Sequence, residues 1–223
     1  MLEEVSVAGD RFGDWMNQEE RSERSRAQIL EAALALFSHQ GYRATSTREI
    51  AQRAGVSTGS VYHHFKEKET IFRELLDVYW RAIEDPDFPT NKALTTGSFP
   101  ENIEEIGLAA RASVERYRPY VALIYVDVVE FGGSHIRKFY SEMAGRFERF
   151  VVAHRDELKL DGKLRPEIKP ASAIMLTFRT FLQYFSVELV FGVTDHFGKD
   201  SDEVVREIAC ILRHGMLKPG VDA

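Results

Sequence analysis

The sequence is poor in the features that build disulfides, membrane spans and export signals. It contains one cysteine, Cys210, among 223 residues, so the chain cannot form an internal disulfide. A lone cysteine fits a reducing compartment, and we therefore expect a cytoplasmic protein. No apolar run approaches the ~20 residues of a membrane span, and the acidic N-terminus lacks the apolar segment of a signal peptide. The sequence thus predicts no membrane partner, and the apolar neighbours of Cys210 predict a buried structural thiol.

The sequence also lacks the residue patterns of common catalytic and metal sites. Five histidines are isolated, and the adjacent pair His63 and His64 would point about 100° apart on a helix, which suits a metal poorly. There is no HExxH, no GxSxG and no glycine-rich phosphate loop. We therefore predict no catalytic residues, no metal and no cofactor, and an enzyme is the least favoured class of function.

Positive charge is scarce overall, at a net charge of −6, but it is unevenly distributed. Between Arg21 and Glu84 there are ten lysines and arginines against eight aspartates and glutamates, which leaves the remainder of the chain at −8. A mildly basic segment beside an acidic body can confine contact with nucleic acid to one end of the molecule.

The most informative segment runs from Ser46 to Phe65, with the sequence STREIAQRAGVSTGSVYHHF. Ser46 and Glu49 have the spacing of a capping box, which predicts the start of a helix. Gly55 is placed to end that helix in a left-handed conformation, and Ser57 is placed to cap the next one. The segment therefore predicts two short helices joined by a sharp turn.

Three small or branched residues of this segment fit a close helix crossing. Ala51 is small where the helices meet, Gly55 makes the turn, and Val61 packs the second helix onto the first, as in a helix-turn-helix. Hydroxyl, tyrosine and histidine side chains are left to face outward, where they can bind phosphates or read base edges. The alternative is a surface helix pair of some other all-α protein.

The same residues carry a family resemblance. Gly41–Ser46, Ile50–Ala51, Ala54–Ser57, Gly59–Phe65 and Lys68–Glu69 closely resemble the TetR family of bacterial transcriptional regulators, and the resemblance extends from Arg24 to about Leu76. It implies a DNA-binding head, a dimer formed through the last two helices, and a contact of Lys68 with the DNA backbone. The first-turn position of Lys68 also suggests a phosphate partner, because the helix dipole disfavours a cation there. The predicted DNA-binding residues are Thr45, Ser46, Thr47, Ser57, Thr58, Gly59, Ser60, Tyr62, His63, His64 and Lys68.

We predict an all-α fold of about nine helices. Residues 1–20 form an N-terminal extension, residues 21–66 a three-helix helix-turn-helix head, and residues 67–223 a larger helical effector-binding and dimerisation domain. The first helix is expected at Arg24–Gln40, and Asp85–Pro100, with three prolines, is expected to be a loop. Outside the helix-turn-helix, the remaining helices are predicted at Lys66–Ile83, Glu101–Arg118, Tyr120–Phe131, Ser134–Leu160, Pro170–Phe191 and Ser201–Met216.

The helix at Pro170–Phe191 is apolar over most of its circumference and needs cover on more than one side. A second copy of the chain would supply this cover as a four-helix interface about a two-fold axis, which agrees with the family resemblance. The alternative is a monomer with these helices in its own core. The predicted dimer-interface residues are Ile174, Phe181, Phe185, Val205, Ile208 and Leu212.

The middle helices are rich in aromatic residues, which at helical spacing usually form a core. Together with the family resemblance, they predict a pocket for a small effector. Its predicted residues are Arg111, Tyr117, Tyr125, Asp127, His135, Phe139, Phe178, Arg179 and Gln183. The function expected is a ligand-responsive repressor that leaves a palindromic operator on double-stranded DNA when an apolar or amphipathic effector binds. The alternative is an architectural, ligand-independent DNA-binding protein.

Overall fold

The computed structural model describes residues 6–158 and 162–218, with side chains described from residue 18 onward. Within these ranges the chain is all-α, and the one β-type pairing is an isolated bridge between Leu164 and Leu217. The all-α fold class predicted from the sequence is confirmed. The chain divides into two compact units between Leu76 and Asp77, whereas the sequence placed the boundary after residue 66.

The first unit contains helices α1 (Ser6–Gln40), α2 (Thr47–Ala54), α3 (Thr58–His64) and the first half of α4 (Lys68–Glu84). Apolar residues from all four helices are buried in this unit: Ile29 and Phe37 of α1, Ile50 of α2, Val61 of α3, and Ile71, Phe72 and Leu75 of α4. Because these residues of α4 belong to the core of the first unit, the division falls inside that helix.

Helix α1 is longer than the sequence predicted, since it begins at Ser6 rather than near Arg24. The residues just before Arg24 are mostly glutamate, arginine, glutamine and serine, which tolerate or favour a helix. Gly9 and Gly13 weaken a helix but do not end this one. Most of the predicted N-terminal extension, residues 1–20, has side chains that lie outside those described.

Helix α5 (Pro89–Thr96) lies in the segment that the sequence predicted to be a loop, so that prediction was wrong. Pro89 occupies the first turn of the helix, where its missing N–H costs nothing. Phe88 and Leu94 are buried and hold α5 on the second unit. Asn91 donates to the carbonyl oxygens of Ile83 and Asp85, at 3.0 and 2.8 Å, and so satisfies the end of α4.

Helix α6 (Ile103–Phe131) joins two helices that the sequence predicted separately. The chain bends at Tyr117, which has φ −108° and ψ 18°, just before Pro119. Proline removes one backbone hydrogen bond and clashes with the preceding turn, so it kinks the helix without ending it. The predicted helical state of Tyr120–Phe131 is confirmed, and Gly132 ends it in a left-handed conformation, at φ 62°.

The single long helix predicted from Ser134 is instead three short ones, α7 (Arg137–Ser141), α8 (Met143–Ala153) and α9 (Arg155–Leu158). The break between α8 and α9 falls at His154, which leaves the helical region at φ −116° and ψ 30°. Leu158, which follows it, is completely buried. The change of chain direction at His154 therefore places Leu158 in the core.

The last two helices are α10 (Pro170–Phe185), which continues as a π-helical turn over Ser186–Val190, and α11 (Ser201–Met216). Asp200 caps α11 by accepting from the Glu203 N–H at 2.9 Å. Both helices pack on α6, where Gly107 is essential to the fit. A Cβ added at Gly107 would lie 2.8 Å from Phe181 and 2.9 Å from Val205, so the helices approach as closely as glycine allows.

Among the helices of the described residues, none has both the length and the apolarity needed to cross a membrane.

Candidate DNA-binding and ligand-binding sites

The turn between α2 and α3 has the geometry that the sequence predicted. Ser46 Oγ accepts from the Glu49 N–H at 3.2 Å, and Glu49 Oε2 accepts from the Ser46 N–H at 2.7 Å, which completes the capping box. These bonds hold the pKa of Glu49 below its usual value. Gly55 ends α2 with φ 69°, and Ser57 caps α3 through its bond with the Ser60 N–H at 3.0 Å.

Helix α3 presents an exposed polar face. Ser57, Thr58, Gly59, Tyr62 and His63 are exposed, while Val61 is buried beneath them. This face is small and carries few permanent charges, so it can enter a groove and hydrogen-bond to base edges or phosphates.

Tyr62 and Thr47 connect this face to α2. The Tyr62 and Thr47 hydroxyl oxygens lie 3.2 Å apart, within hydrogen-bonding distance. Tyr62 is nevertheless 53% exposed, so its ring is available to a partner. Nearby, burial and then the charges of His63 and Arg26 lower the pKa of His64, which makes this imidazole neutral at pH 7.

Thr45 was predicted to bind DNA, but its side chain is 1% exposed. Its hydroxyl donates to the Gly41 carbonyl oxygen at 2.7 Å and lies 3.3 Å from Gln40 Nε2. The prediction for this side chain was wrong because the hydroxyl closes the loop between α1 and α2 instead of facing outward.

Lys68 occupies a different environment from the one expected. Its ammonium group donates to the carbonyl oxygens of Tyr42 and Thr45, at 2.8 and 2.6 Å, and lies 4.0 Å from the centre of the Tyr42 ring. These carbonyl groups compensate the unfavourable position of a cation at the start of α4. Lys68 therefore positions the loop that leads into α2, whether or not it also approaches a phosphate.

We expect Lys68→Met to destabilise the protein by about 1–3 kcal/mol, the usual range for lost hydrogen bonds to a charged group. DNA affinity should fall with it, but the slope of log affinity against log salt concentration should stay unchanged if Lys68 acts through the loop. Urea denaturation and DNA titrations at several salt concentrations measure both effects. Lys66→Met is the control, since Lys66 is exposed. A slope reduced by about one would instead show a direct phosphate contact.

Arg48 is a candidate phosphate contact that was not among the residues predicted from the sequence. It is exposed in the first turn of α2, next to Thr47. The helix dipole disfavours a cation at that position, as it does at Lys68 in the first turn of α4. Because Lys68 was selected for its first-turn position, Arg48 could have been selected from the sequence in the same way.

The second unit contains a cavity of about 780 Å³. Its walls come from the last turns of α4 and from α5, α6, α7, α8 and α10, and they are mostly apolar. A volume of this size falls within the range of small-molecule pockets.

Five of the nine predicted pocket residues line this cavity, namely Tyr125, Phe139, Phe178, Arg179 and Gln183. The sequence missed several other aromatic and polar lining residues, including Tyr79, Trp80, Tyr140, Arg146, Phe147 and Phe150. Tyr79 and Trp80 were missed because the pocket was predicted from the middle helices alone, although the second half of α4 also carries aromatic residues that line it.

The other four predicted residues lie outside the cavity and make structural contacts. Arg111 pairs with Glu115 and with Asp202 of α11, at 3.2 and 3.5 Å. Tyr117 packs against the rings of Tyr79 and Phe88, with centroids 5.7 and 5.3 Å away. Their prediction as pocket residues was wrong because helical spacing alone does not show which side of a helix faces a cavity.

Asp127 and His135 form a buried pair at the end of α6. Asp127 is fully buried, and its carboxylate accepts from His135 Nδ1 at 2.6 Å and from the Ile136 N–H at 3.3 Å. The pair ties the turn after α6 back onto the helix, which satisfies both polar groups without a ligand. Their prediction as ligand contacts was also wrong.

The family model described as bacterial regulatory proteins of the tetR family matches residues 29–75. The transcriptional repressor KstR2 of Mycobacterium tuberculosis is 33% identical over 146 residues, which cover 64% of this chain and 70% of that protein. The chain belongs to the TetR family. It is a ligand-responsive DNA-binding transcriptional repressor, as the sequence predicted.

Further relatives agree with this assignment. KstR2 of Mycolicibacterium smegmatis is 45% identical over 146 residues, covering 64% of this chain and 69% of that protein. Among solved structures, NalD of Pseudomonas aeruginosa matches with a TM-score of 0.60 at 24% identity, over 90% of this chain and 99% of that one. At that identity the structural match supports the fold alone, and the fold extends over both units of the TetR-family chain.

The dimer-interface residues predicted for this regulator are largely internal. Ile174, Phe181 and Phe185 of α10 are completely buried within a single chain, and Val205 and Ile208 of α11 are 1% and 8% exposed. Leu212 is partly buried against the same core. Fully buried side chains cannot contact a second copy, so the predictions for Ile174, Phe181, Phe185 and Val205 were wrong, whereas those for Ile208 and Leu212 stay predictions.

Other apolar residues of the same two helices do face outward. Leu176 of α10 is 53% exposed and Ile211 of α11 is 64% exposed. Cys210 is also exposed, which contradicts the predicted buried thiol. The apolar residues predicted on these two helices face the core of the second unit, and the exposed residues Leu176 and Ile211 were not among those predicted.

Proposed function

We propose that this regulator is a homodimer that binds a palindromic operator and is released when an apolar or amphipathic effector enters the cavity of the second unit. One observation supports the proposal above all: α4 contributes residues to both units. Ile71, Phe72 and Leu75 in its first half are buried in the DNA-binding unit, while Tyr79 and Trp80 in its second half line the cavity. One continuous helix thus joins the two binding functions.

The mechanism follows from population shift. A dimer holds two α3 helices at the spacing of successive major grooves. An effector that favours a different position for the last turns of α4 also favours a different position for the first turns, since the helix is continuous. If that position fits the operator less well, effector and DNA bind competitively.

The relatives support repression and an apolar effector. KstR2 is named as a repressor, and a solved structure of it is described as a ketosteroid transcriptional regulator. NalD is described as the secondary repressor of a multidrug efflux pump. An architectural DNA-binding protein is the alternative, but such a protein would have no use for a cavity of about 780 Å³.

The DNA-binding part of the proposal is tested at Tyr62. We expect Tyr62→Ala to weaken binding to the region upstream of the protein's own gene by about 10- to 100-fold, because a lost base-edge or phosphate contact costs about 1–3 kcal/mol. Fluorescence anisotropy at fixed salt measures the affinity. His39→Ala, an exposed substitution at the end of α1, should leave it unchanged. Equal affinity of the Tyr62 variant and the wild type would contradict the role assigned to α3.

A further inference from the structure

Arg179 of α10 brings a positive charge into the wall of the cavity. Its Nη1 lies 3.6 Å from the Met143 sulfur, and its guanidinium carbon lies 5.6 Å from the centre of the Tyr140 ring. Met143 and Tyr140 also line the cavity, so the guanidinium group is held against its wall. Neither contact neutralises the charge.

The other charged residues of the cavity wall do not form an ion pair with Arg179. Glu84 is the one acidic residue among the described lining residues, and it pairs with Arg146, which also pairs with Glu142 at 3.3 Å. Within the described part of the chain, no carboxylate lies within ion-pair distance of Arg179. Arg149, the third arginine of the wall beside Arg146 and Arg179, makes no comparable contact with the wall in the same ranges.

Neutral side chains that can form hydrogen bonds line the cavity together with Arg179. Gln183 follows Arg179 by one helical turn on α10, lies on the same face and also lines the cavity. Burial raises the pKa of Tyr140, an effect that the charge of Arg179 partly offsets, and the phenol is therefore protonated at neutral pH. A guanidinium fork, an amide and a hydroxyl group are thus available within one region of the cavity.

The remainder of the wall is apolar and aromatic. Phe147 and Phe178 lie with ring centroids 6.2 Å apart, and Phe139 stacks on Trp80 at 3.8 Å. An apolar molecule that fills this space displaces water from the cavity. Arg179 is itself exposed to solvent, so a ligand that covers its guanidinium group replaces water there, and an opposite charge on the ligand compensates that loss.

We propose that the effector is an amphipathic carboxylate, whose head group binds Arg179 while its apolar body lies against Phe139, Phe147 and Phe178. The inference rests on the proposed function of the cavity and specifies the chemical class of its ligand. A carboxylate is favoured because its two oxygens match the guanidinium fork, and its single negative charge balances one arginine. A phosphate head group would bring more charge than Arg179 alone compensates.

Dodecanoate and its uncharged analogue dodecanamide are the matched probes, titrated calorimetrically below their aggregation concentrations. We expect dodecanoate to bind about 10- to 100-fold more tightly than dodecanamide, the range for a charged hydrogen-bonded contact. Arg179→Gln should abolish this preference and leave dodecanamide affinity unchanged, which also shows that the variant is folded. Arg149→Gln and Arg206→Gln, a substitution on α11 away from the cavity, should retain the preference.

Four results would overturn the inference. The first is equal binding of the two probes by the wild type, and the second is a preference that persists in Arg179→Gln. The third is a preference that disappears in Arg149→Gln, and the fourth is tighter binding of dodecyl phosphate than of dodecanoate. Release of operator DNA is measured separately with each probe. Release by both probes alike would retain the proposed function and reject the carboxylate, whereas Arg179-dependent binding without release would retain the carboxylate and reject the release mechanism.

Discussion

Ile211→Glu is expected to convert the proposed homodimer into a 25.5 kDa monomer. Ile211 of α11 and Leu176 of α10 are the exposed apolar residues of the two helices whose inner faces form the core of the second unit. A carboxylate at the centre of an apolar interface would be desolvated without a partner, which opposes association. Since Ile211 contacts solvent in the single chain, the substitution should leave the fold intact.

The loss of the dimer should have a large effect on DNA binding. A monomer reaches one half-site, and without the linked second contact its operator affinity should fall by on the order of 100-fold or more. Sedimentation gives the oligomeric state, and anisotropy with operator DNA gives the affinity. Val152→Glu on α8, at a residue 78% exposed, adds the same charge elsewhere and should remain dimeric and active. A dimeric Ile211→Glu protein would move the interface away from α11.

Phe181→Ala is expected to lower the free energy of unfolding by about 3–5 kcal/mol, the range for removing a buried phenylalanine. Phe181 is completely buried, and its ring meets Gly107 of α6 closely enough to exclude a Cβ there. The cavity left by alanine cannot be filled by a small shift of the helices, because Val205 of α11 packs on the same glycine. The penalty should therefore be near the upper part of the range.

Protein concentration distinguishes a core position from an interface position at Phe181. If Phe181 lies in the core of each chain, the loss of stability relative to the wild type should be the same at low and high protein concentration. Urea denaturation at two concentrations measures this difference. Phe197→Ala, at a phenylalanine 55% exposed, is the matched control and should cost much less. A loss confined to low concentrations would restore Phe181 to the dimer interface.

The helix-turn-helix was predictable because its structure is local. The capping box joins residues three positions apart, and Gly55 and Ser57 act on the turns beside them. Each of these effects depends on short-range geometry that the sequence specifies directly. The exception is Thr45, whose burial depends on the loop folding back onto Gly41.

The second unit was predictable only as a set of helices. Helix α5 was missed because three prolines and a glycine between Asp85 and Pro100 indicate a loop, while the burial of Phe88 and Leu94 that stabilises the helix requires the packed unit. The single long helix after Ser134 was wrong for a similar reason, since the break at His154 brings Leu158 into the core. Tertiary contacts override local preference in both segments.

The sequence by itself determined the family, the all-α fold and the capped helix-turn-helix, since these depend on residue types at short spacings. Only the tertiary structure decided which apolar residues form the core, the cavity or an exposed surface. Phe181 and Ile211 have similar apolar character, yet one is buried and the other exposed. Lys68 carries the same charge whether it binds a DNA phosphate or backbone carbonyl groups. The carbonyl groups that it contacts lie more than twenty residues away in the chain, so only the folded structure shows this contact. Such roles depend on which helix faces meet, and helical periodicity specifies a face without specifying its partner.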